Sequence, residues 1–172
     1  LTLILALKKQ NNLNASTLQN SKSIIQKAQS FEDKKIKEKT FIEINGFRQG
    51  MFITGEDSTK PVLLFIHGGP GMPEYAISRK YPQILEKQFT VCWWEQRGAG
   101  MSFNSKIEKQ DLSFKSLIKD LVSVSEYLKK RFNQDKIYLM AHSGGSFTAI
   151  QAVSQYPELF EAYFAIAQIS NQ

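Results

Sequence analysis

The chain has 172 residues, 42% hydrophobic and 12% aromatic, with a formal net charge of +6 and a single cysteine. That length and apolar content suffice to bury a sizeable core in one domain, and one cysteine excludes an intramolecular disulfide or a cysteine-built zinc site. The charge does not mark a nucleic-acid binder: residues 1 to 40 hold eight lysines against three acidic residues, +5 of the total, without the aromatic or glycine pattern of an RNA-binding module.

The chain opens on "LTLILALKK". Its apolar run falls far short of the roughly 20 residues needed to span a bilayer, and the lysines follow it, where a signal peptide carries them in front. Two readings stay open. The run is the tail of a longer upstream membrane anchor, with Lys8 and Lys9 keeping the domain on the cytoplasmic side, or it is a helix that packs on the domain. Residues 10 to 40, rich in Asn, Gln, Ser and Lys, read as a linker with one marginal helix around "SKSIIQKAQSF". The expected organisation is therefore a basic polar leader, 1–39, and a core domain, 40–172.

From residue 41 the pattern becomes regular. "TFIEI", the turn signal Asn45-Gly46 and "FRQGMFIT" predict a β-hairpin over about 40–54. The continuous apolar run "VLLFI" predicts a strand buried on both faces. A helix is expected over about 74–88, then the strand "FTVCWW". Inside that strand Cys92 reads as a buried small hydrophobe, and a lone cysteine fits a reducing, cytoplasmic compartment. Trp93 and Trp94 read as core and loop packing. In "SFKSLIKDLVSVSEYLKKRF", Phe114, Leu117, Ile118, Leu121, Val124 and Leu128 recur at helical spacing, an amphipathic helix capped by Asp111 or Ser113. The strand "KIYLMA", the helix "GGSFTAIQAVSQYP" and the apolar segment "AYFAIAQI" complete the order. A hairpin followed by alternating strand and helix implies an α/β fold with a mostly parallel sheet.

Active sites of such sheets gather at the carboxyl ends of the strands, and three strand ends here carry unusual sequences. "HGGPGMPEY" follows "VLLFI", "EQRGAGMSF" follows "TVCWW", and "AHSGGS" follows "KIYLM". In this order and spacing, over about residues 40 to 170, "HGGPG", "WEQRGAGMS" and "AHSGGS" resemble the α/β-hydrolase superfamily and, within it, the prolyl iminopeptidase-like serine peptidases. The resemblance implies an α/β-hydrolase fold with helices on both faces of the sheet. Two residues depart from the family's pattern: Ala141 stands where the elbow usually has Gly, and Glu95 where the loop usually has Asp. Ala is small enough for a tight corner, and Glu95 keeps the charge, so a structural role is expected for it.

The chemistry accounts for these residue types directly. A serine hydroxyl needs a base to take its proton and must project clear of its own backbone. Ala141-His142-Ser143-Gly144-Gly145 forms such a corner, with Ser143 at its tip as the candidate nucleophile. Attack on a carbonyl creates an oxyanion, which needs preorganised backbone donors. Gly144 offers one N–H, and Gly69 or its neighbour Gly68 offers the other. Glu74 either meets a substrate's free amino terminus or simply places a charge in the first turn of a helix. Arg97 either binds a substrate carboxylate or is tied to nearby carbonyls. No metal-ligand cluster, no G-x-x-x-x-G-K-[ST] and no G-x-G-x-x-G is present, so no metal or cofactor is expected.

A serine hydrolase of this fold needs an acid and then a histidine downstream of the nucleophile. After Ser143 there is neither His nor Asp, and Glu158 and Glu161 come too early in the order. His142 adjoins Ser143 but points elsewhere at such a corner, and His67 is expected to hold the glycine loop in shape. The chain thus reads as the N-terminal part of a longer enzyme, lacking the cap and last strands that the resemblance implies. The expected substrate is a small peptide or another acyl compound. The leading expectation is an aminopeptidase of the prolyl iminopeptidase type, with little turnover from this chain alone. An esterase or lactonase on the same scaffold and a non-catalytic binding remnant are the alternatives.

Overall fold

Asn45 and Gly46 reverse the chain with φ of 50° and 82°, both left-handed, as a two-residue hairpin turn demands. They join β1 (Ile36–Ile44) to β2 (Phe47–Gly55) in antiparallel register from Ile44 opposite Phe47 to Ile36 opposite Gly55. The hairpin is longer at its open end than the sequence predicts. The computed structural model describes residues 17–25, 34–81 and 84–169, and the chain divides into two compact units, Leu1–Lys35 and Ile36–Gln172. In the first, residues 17–25 form a helix, α1, every residue of which is exposed. The apolar opening run and the rest of the marginal helix lie outside the described residues. Among the described residues no helix is long and apolar enough to cross a membrane.

The second unit holds one six-stranded sheet in the order β1-β2-β4-β3-β5-β6. It adds β3 (Val62–Ile66), β4 (Thr90–Trp94), β5 (Ile137–His142) and β6 (Phe160–Ile166). β2 runs antiparallel to β4, whereas β3, β4, β5 and β6 are mutually parallel. The chain starts the parallel part at β3, steps to β4 on one side and then returns to β5 on the other. Strand order reverses at β3, and in open α/β sheets ligands bind in the crevice that opens at such a point.

Side chains of β3 alternate between two cores, as the period of two requires. Leu64 and Ile66 join Cys92 and Trp94 on one face, where α3 (Phe114–Phe132) packs through Leu121, Val124 and Leu128. Each of these three, wholly buried, contributes about 1.5–3 kcal/mol. Ala149 and Ala152 bring α4 (Gly145–Gln155) onto the same face. Leu63 and Phe65 pair with Val91 and Trp93 on the other face, covered by Tyr75 and Leu85. Ser113 caps α3, its Oγ accepting from Ser116 N, while Asp111 closes the preceding 3-10 turn with Glu108.

The expected helix over 74–88 is not continuous. α2 covers only Tyr75–Ser78, and the chain re-forms a 3-10 turn at Leu85–Lys87. Proline at 82 has no N–H to donate and disfavours helical backbone at the residue before it. Phe114 also departs from expectation: it opens α3 but stays 55% exposed, outside the core.

Candidate active site

Three loops meet at the carboxyl edge of the sheet around the switch at β3: one after His67, one from Glu95 to Ser102, and the corner at Ser143. β5 ends at His142 and α4 begins at Gly145, so the chain turns from strand to helix over two residues. Ser143 takes φ of 47°, a left-handed conformation that a non-glycine residue adopts only under constraint. Its backbone is held on both sides: Ser143 N–H donates to Ile166 O at 2.9 Å, and Ser146 N–H donates to Ser143 O at 2.9 Å.

The glycines of the elbow and of the first loop exist because the two lie against each other. A Cβ on Gly144 would overlap the Gly69 carbonyl oxygen, and one on Gly145 would overlap that of His67. A Cβ on Gly68 would stand 3.1 Å from Ser143 Cβ. Gly69 itself has φ of 114°, open only to glycine. The structure therefore brings Gly68, Gly69, Ser143 and Gly144 together. Gly68 N–H is already committed, donating to Glu74 Oε1 at 3.1 Å.

Both histidines are engaged. His67 is buried, and Gln96 N–H donates to its Nε2 at 3.1 Å. A backbone N–H can only donate, so Nε2 is the bare nitrogen and Nδ1–H donates to Gly68 O, 2.9 Å away. Gln96 Nε2 completes the clamp on His67 O at 2.9 Å. Burial pushes the His67 imidazole below its ordinary value, against the opposing pull of the Gly68 carbonyl, Glu74 and Glu95. His142 Nδ1 lies 2.7 Å from Glu74 Oε1. Glu74 stands at the head of α2 without capping it; its carboxylate instead ties the glycine loop to the residue before Ser143.

Glu95 closes its own loop, accepting from Met101 N–H through its carboxylate and from the Ser102 hydroxyl through its carbonyl. Arg97, buried, donates one hydrogen bond to a carbonyl, that of Asp111, at 3.2 Å. Its main partner is one the sequence reading passes over: Asp120, reached by Nε at 2.8 Å and Nη2 at 2.6 Å. Asp120 is wholly buried on α3 and also accepts from Gln49 Nε2 at 2.7 Å and Asn45 Nδ2 at 2.8 Å. Gln49 Oε1 in turn accepts from Trp94 Nε1 at 2.9 Å. A signal existed, because Asp120 falls three residues after Leu117 and four before Val124, on the stripe that faces the core. Glu158 lies in a 3-10 turn before β6 and Glu161 near that strand's amino end, across the sheet from Ser143.

Beside the elbow opens a cleft of about 390 Å³, bounded by Gly68, Gly69 and Gly144 on one side and by Leu112, Phe114 and Phe147 on the other. Among the described residues no group of His, Cys, Asp or Glu could hold a metal ion. Cys92 is buried, and burial pushes its thiol far above the ordinary range, which makes it a packing residue.

The model of the alpha/beta hydrolase fold family matches residues 61–171. A Bacillus subtilis protein named "Probable aminopeptidase YbaC" is 39% identical over 130 residues, covering 76% of this chain and 41% of that protein. A proline iminopeptidase of Thermoplasma volcanium is 30% identical over 118 residues, covering 67% of this chain and 37% of its own length. The chain thus spans about two fifths of the length of these curated relatives. Among solved structures, a proline iminopeptidase-related protein from Thermus thermophilus superposes with a TM-score of 0.67 at 24% identity, over 79% of this chain and 46% of that one. An epoxide hydrolase from Vigna radiata does so at 0.59 and 22%, over 75% and 39%. These two likenesses carry the fold, which hosts more than one chemistry. With a family model covering most of the described core and a tight strand-to-helix corner at Ser143 beside the sheet's switch point, this chain belongs to the α/β hydrolase fold family.

Proposed function

We propose that Ser143 is the nucleophile of a serine hydrolase and that the whole protein is an aminopeptidase of the prolyl iminopeptidase type, acting on small peptides without a cofactor. The observation that carries this is the left-handed Ser143 on a two-residue strand-to-helix turn, with the glycine loop packed against it. The names of the curated relatives support the peptidase class. Ser143 Oγ attacks the substrate carbonyl as a base takes its proton, and the oxyanion is held by the N–H groups of Gly69 and Gly144. The C–N bond then breaks, the departing amine takes the proton, and water hydrolyses the acyl-enzyme. Gly68 drops out as a donor because Glu74 holds its N–H. Glu74, already shared between that N–H and His142, is better placed to brace the site than to meet a substrate amine.

The base is not His67, whose two ring nitrogens are committed to Gly68 and Gln96. His142, its Nδ1 held by Glu74, immediately precedes Ser143 at a corner where neighbouring side chains diverge, which makes it a poor base. We therefore propose that turnover requires further segments of a longer protein, and that this chain alone falls short of it by several orders of magnitude. The apolar cleft favours a second reading, an acyl esterase on the same scaffold. Assay of the longest polypeptide the gene encodes on proline anilides against short-chain esters separates the two. The primary test is labelling with a fluorophosphonate probe, on this chain and on that longest polypeptide, with Ser143→Ala as control. Labelling of the long form, lost on substitution, is expected. If neither form labels, the elbow is only a turn and the binding-remnant alternative replaces the hydrolase.

A further inference from the structure

We propose that the cleft beside Gly144 is a subsite for an uncharged apolar substrate group, of the size of a phenyl ring or a branched alkyl chain. This rests on the reading of Ser143 as nucleophile, and it adds the chemistry of the group bound next to it.

Position comes first. Gly69 and Gly144, whose N–H groups are the oxyanion donors of that reading, both line the cleft. A carbonyl held by them stands at the cleft's edge, and one of its two substituents must extend inward. The walls are apolar: Leu112, Leu117, Phe114 and Phe147, the two rings 4.5 Å apart and inclined at 52°. Leu112 is 44% exposed and Phe114 55%, an apolar surface left open beside the elbow. The volume of about 390 Å³ falls in the range of roughly 300–1,000 Å³ common to small-molecule sites.

Charge decides the class. The titratable side chains that line the cleft are His67 and Arg97. His67 spends both ring nitrogens on the backbone of Gly68 and Gln96. Arg97 spends its guanidinium on Asp120 and the Asp111 carbonyl, and its Cζ lies 3.8 Å from the Phe47 ring centre. The polar side chains are used as well: Thr148 donates to Gly145 O at 2.9 Å and Gln96 to His67 O. Beyond the oxyanion donors at its edge, an ammonium or carboxylate placed among these walls would meet no uncommitted charged side chain, which weighs against either. Glu74 and His142, hydrogen-bonded to each other at 2.7 Å, do not line this cleft. A substrate's charged terminus therefore lies elsewhere, and the apolar group lies here.

The test is an amide NMR titration of this chain with three phenyl probes differing only in charge: 3-phenylpropionamide, 3-phenylpropionate and 3-phenylpropylammonium. The neutral amide is expected to shift Gly98, Leu117 and Thr148 saturably, and the two charged probes to bind at least about tenfold more weakly. Leu117→Trp, which fills the cleft, should abolish the shifts. Phe114→Lys, at an exposed position that tolerates it, should reverse the preference in favour of the carboxylate. Equal affinity for the three probes overturns the proposal, as do shifts spread to Tyr81 and Phe164. Loss of amide binding in the longest polypeptide also overturns it, since its own chain would then fill the cleft. Amide binding without fluorophosphonate labelling sinks the nucleophile and leaves the subsite; labelling without amide binding does the reverse.

Discussion

Gly144 and Gly46 separate two reasons for a glycine. Gly144 has an ordinary helical φ of −54°, so alanine suits its backbone, but the added Cβ would run into the Gly69 carbonyl. Gly144→Ala is expected to push the glycine loop off the elbow, costing about 1–3 kcal/mol and abolishing fluorophosphonate labelling of any form that labels. Gly46 has φ of 82°, and nothing lies within 4 Å of where an alanine methyl would stand. Gly46→Ala should cost about 1–2 kcal/mol from backbone strain alone and leave labelling rates unchanged; urea unfolding beside the labelling assay checks the pair. His67 adds a pH dependence whose sign follows from its burial. Its folded value lies below the ordinary 6.5, so below pH 6.5 the unfolded chain binds more protons than the folded one. Stability should hold above pH 6.5, fall with a slope of at most about 1.4 kcal/mol per pH unit below it, and level off under the folded value. His67→Gln should remove that slope from urea midpoints measured between about pH 7.5 and 4.5. An unchanged slope would mean that His67 is not the group being titrated.

At the scale of elements, the Arg97–Asp120 pair fastens the loop after β4 to α3, and through Gln49 and Asn45 to the hairpin. Asp120→Asn keeps the shape and removes the charge, leaving a buried guanidinium without its counterion. The expected loss is about 3–5 kcal/mol, read from urea unfolding, and a double-mutant cycle with Arg97→Met should recover a large part of it. Loss of under about 1 kcal/mol would show the pair to be incidental. This network also marks where the sequence stops being legible. Each strand and its loop can be read because the signal is local: "VLLFI" before "HGGPG", Asn45-Gly46 between alternating runs, Ser143 at the end of "KIYLMA". Asp120 and Glu74 find their partners far along the chain, Gln49 and His142 lying 71 and 68 positions away, and no periodicity encodes such a pairing. The missing helix beyond Ser78 is a different kind of error, because proline at 82 stands in plain view inside the expected helical span.

Across the whole molecule, the alternation of strands and helices implies a mostly parallel sheet, whereas the inequality of its two covering layers has no such signature. α3 and α4 lie together on one face, and the other depends on the short α2, where Tyr75 stacks on Phe52 at 4.0 Å and meets Trp93 at 6.1 Å. Periodicity shows that a strand is buried, not by how much cover. The same distribution of the core governs what the basic leader contributes. Among the described residues, every buried hydrophobic side chain falls between Ile42 and Phe160, inside the unit Ile36–Gln172. Residues 1–33 carry four lysines, at 8, 9, 22 and 27, against Glu32 and Asp33, so their contribution is charge rather than described core. A chain beginning at Lys34 should therefore unfold with a midpoint within about 2 °C of the original, the shift expected when only surface terms of about 0.5 kcal/mol are lost. Its retention on a cation exchanger should drop at the same time, since the removed segment holds a net +2 of the chain's +6. A fall in midpoint of about 5 °C or more would show that the leader belongs to the fold, and the exposed face of α1 would then need a partner within the chain.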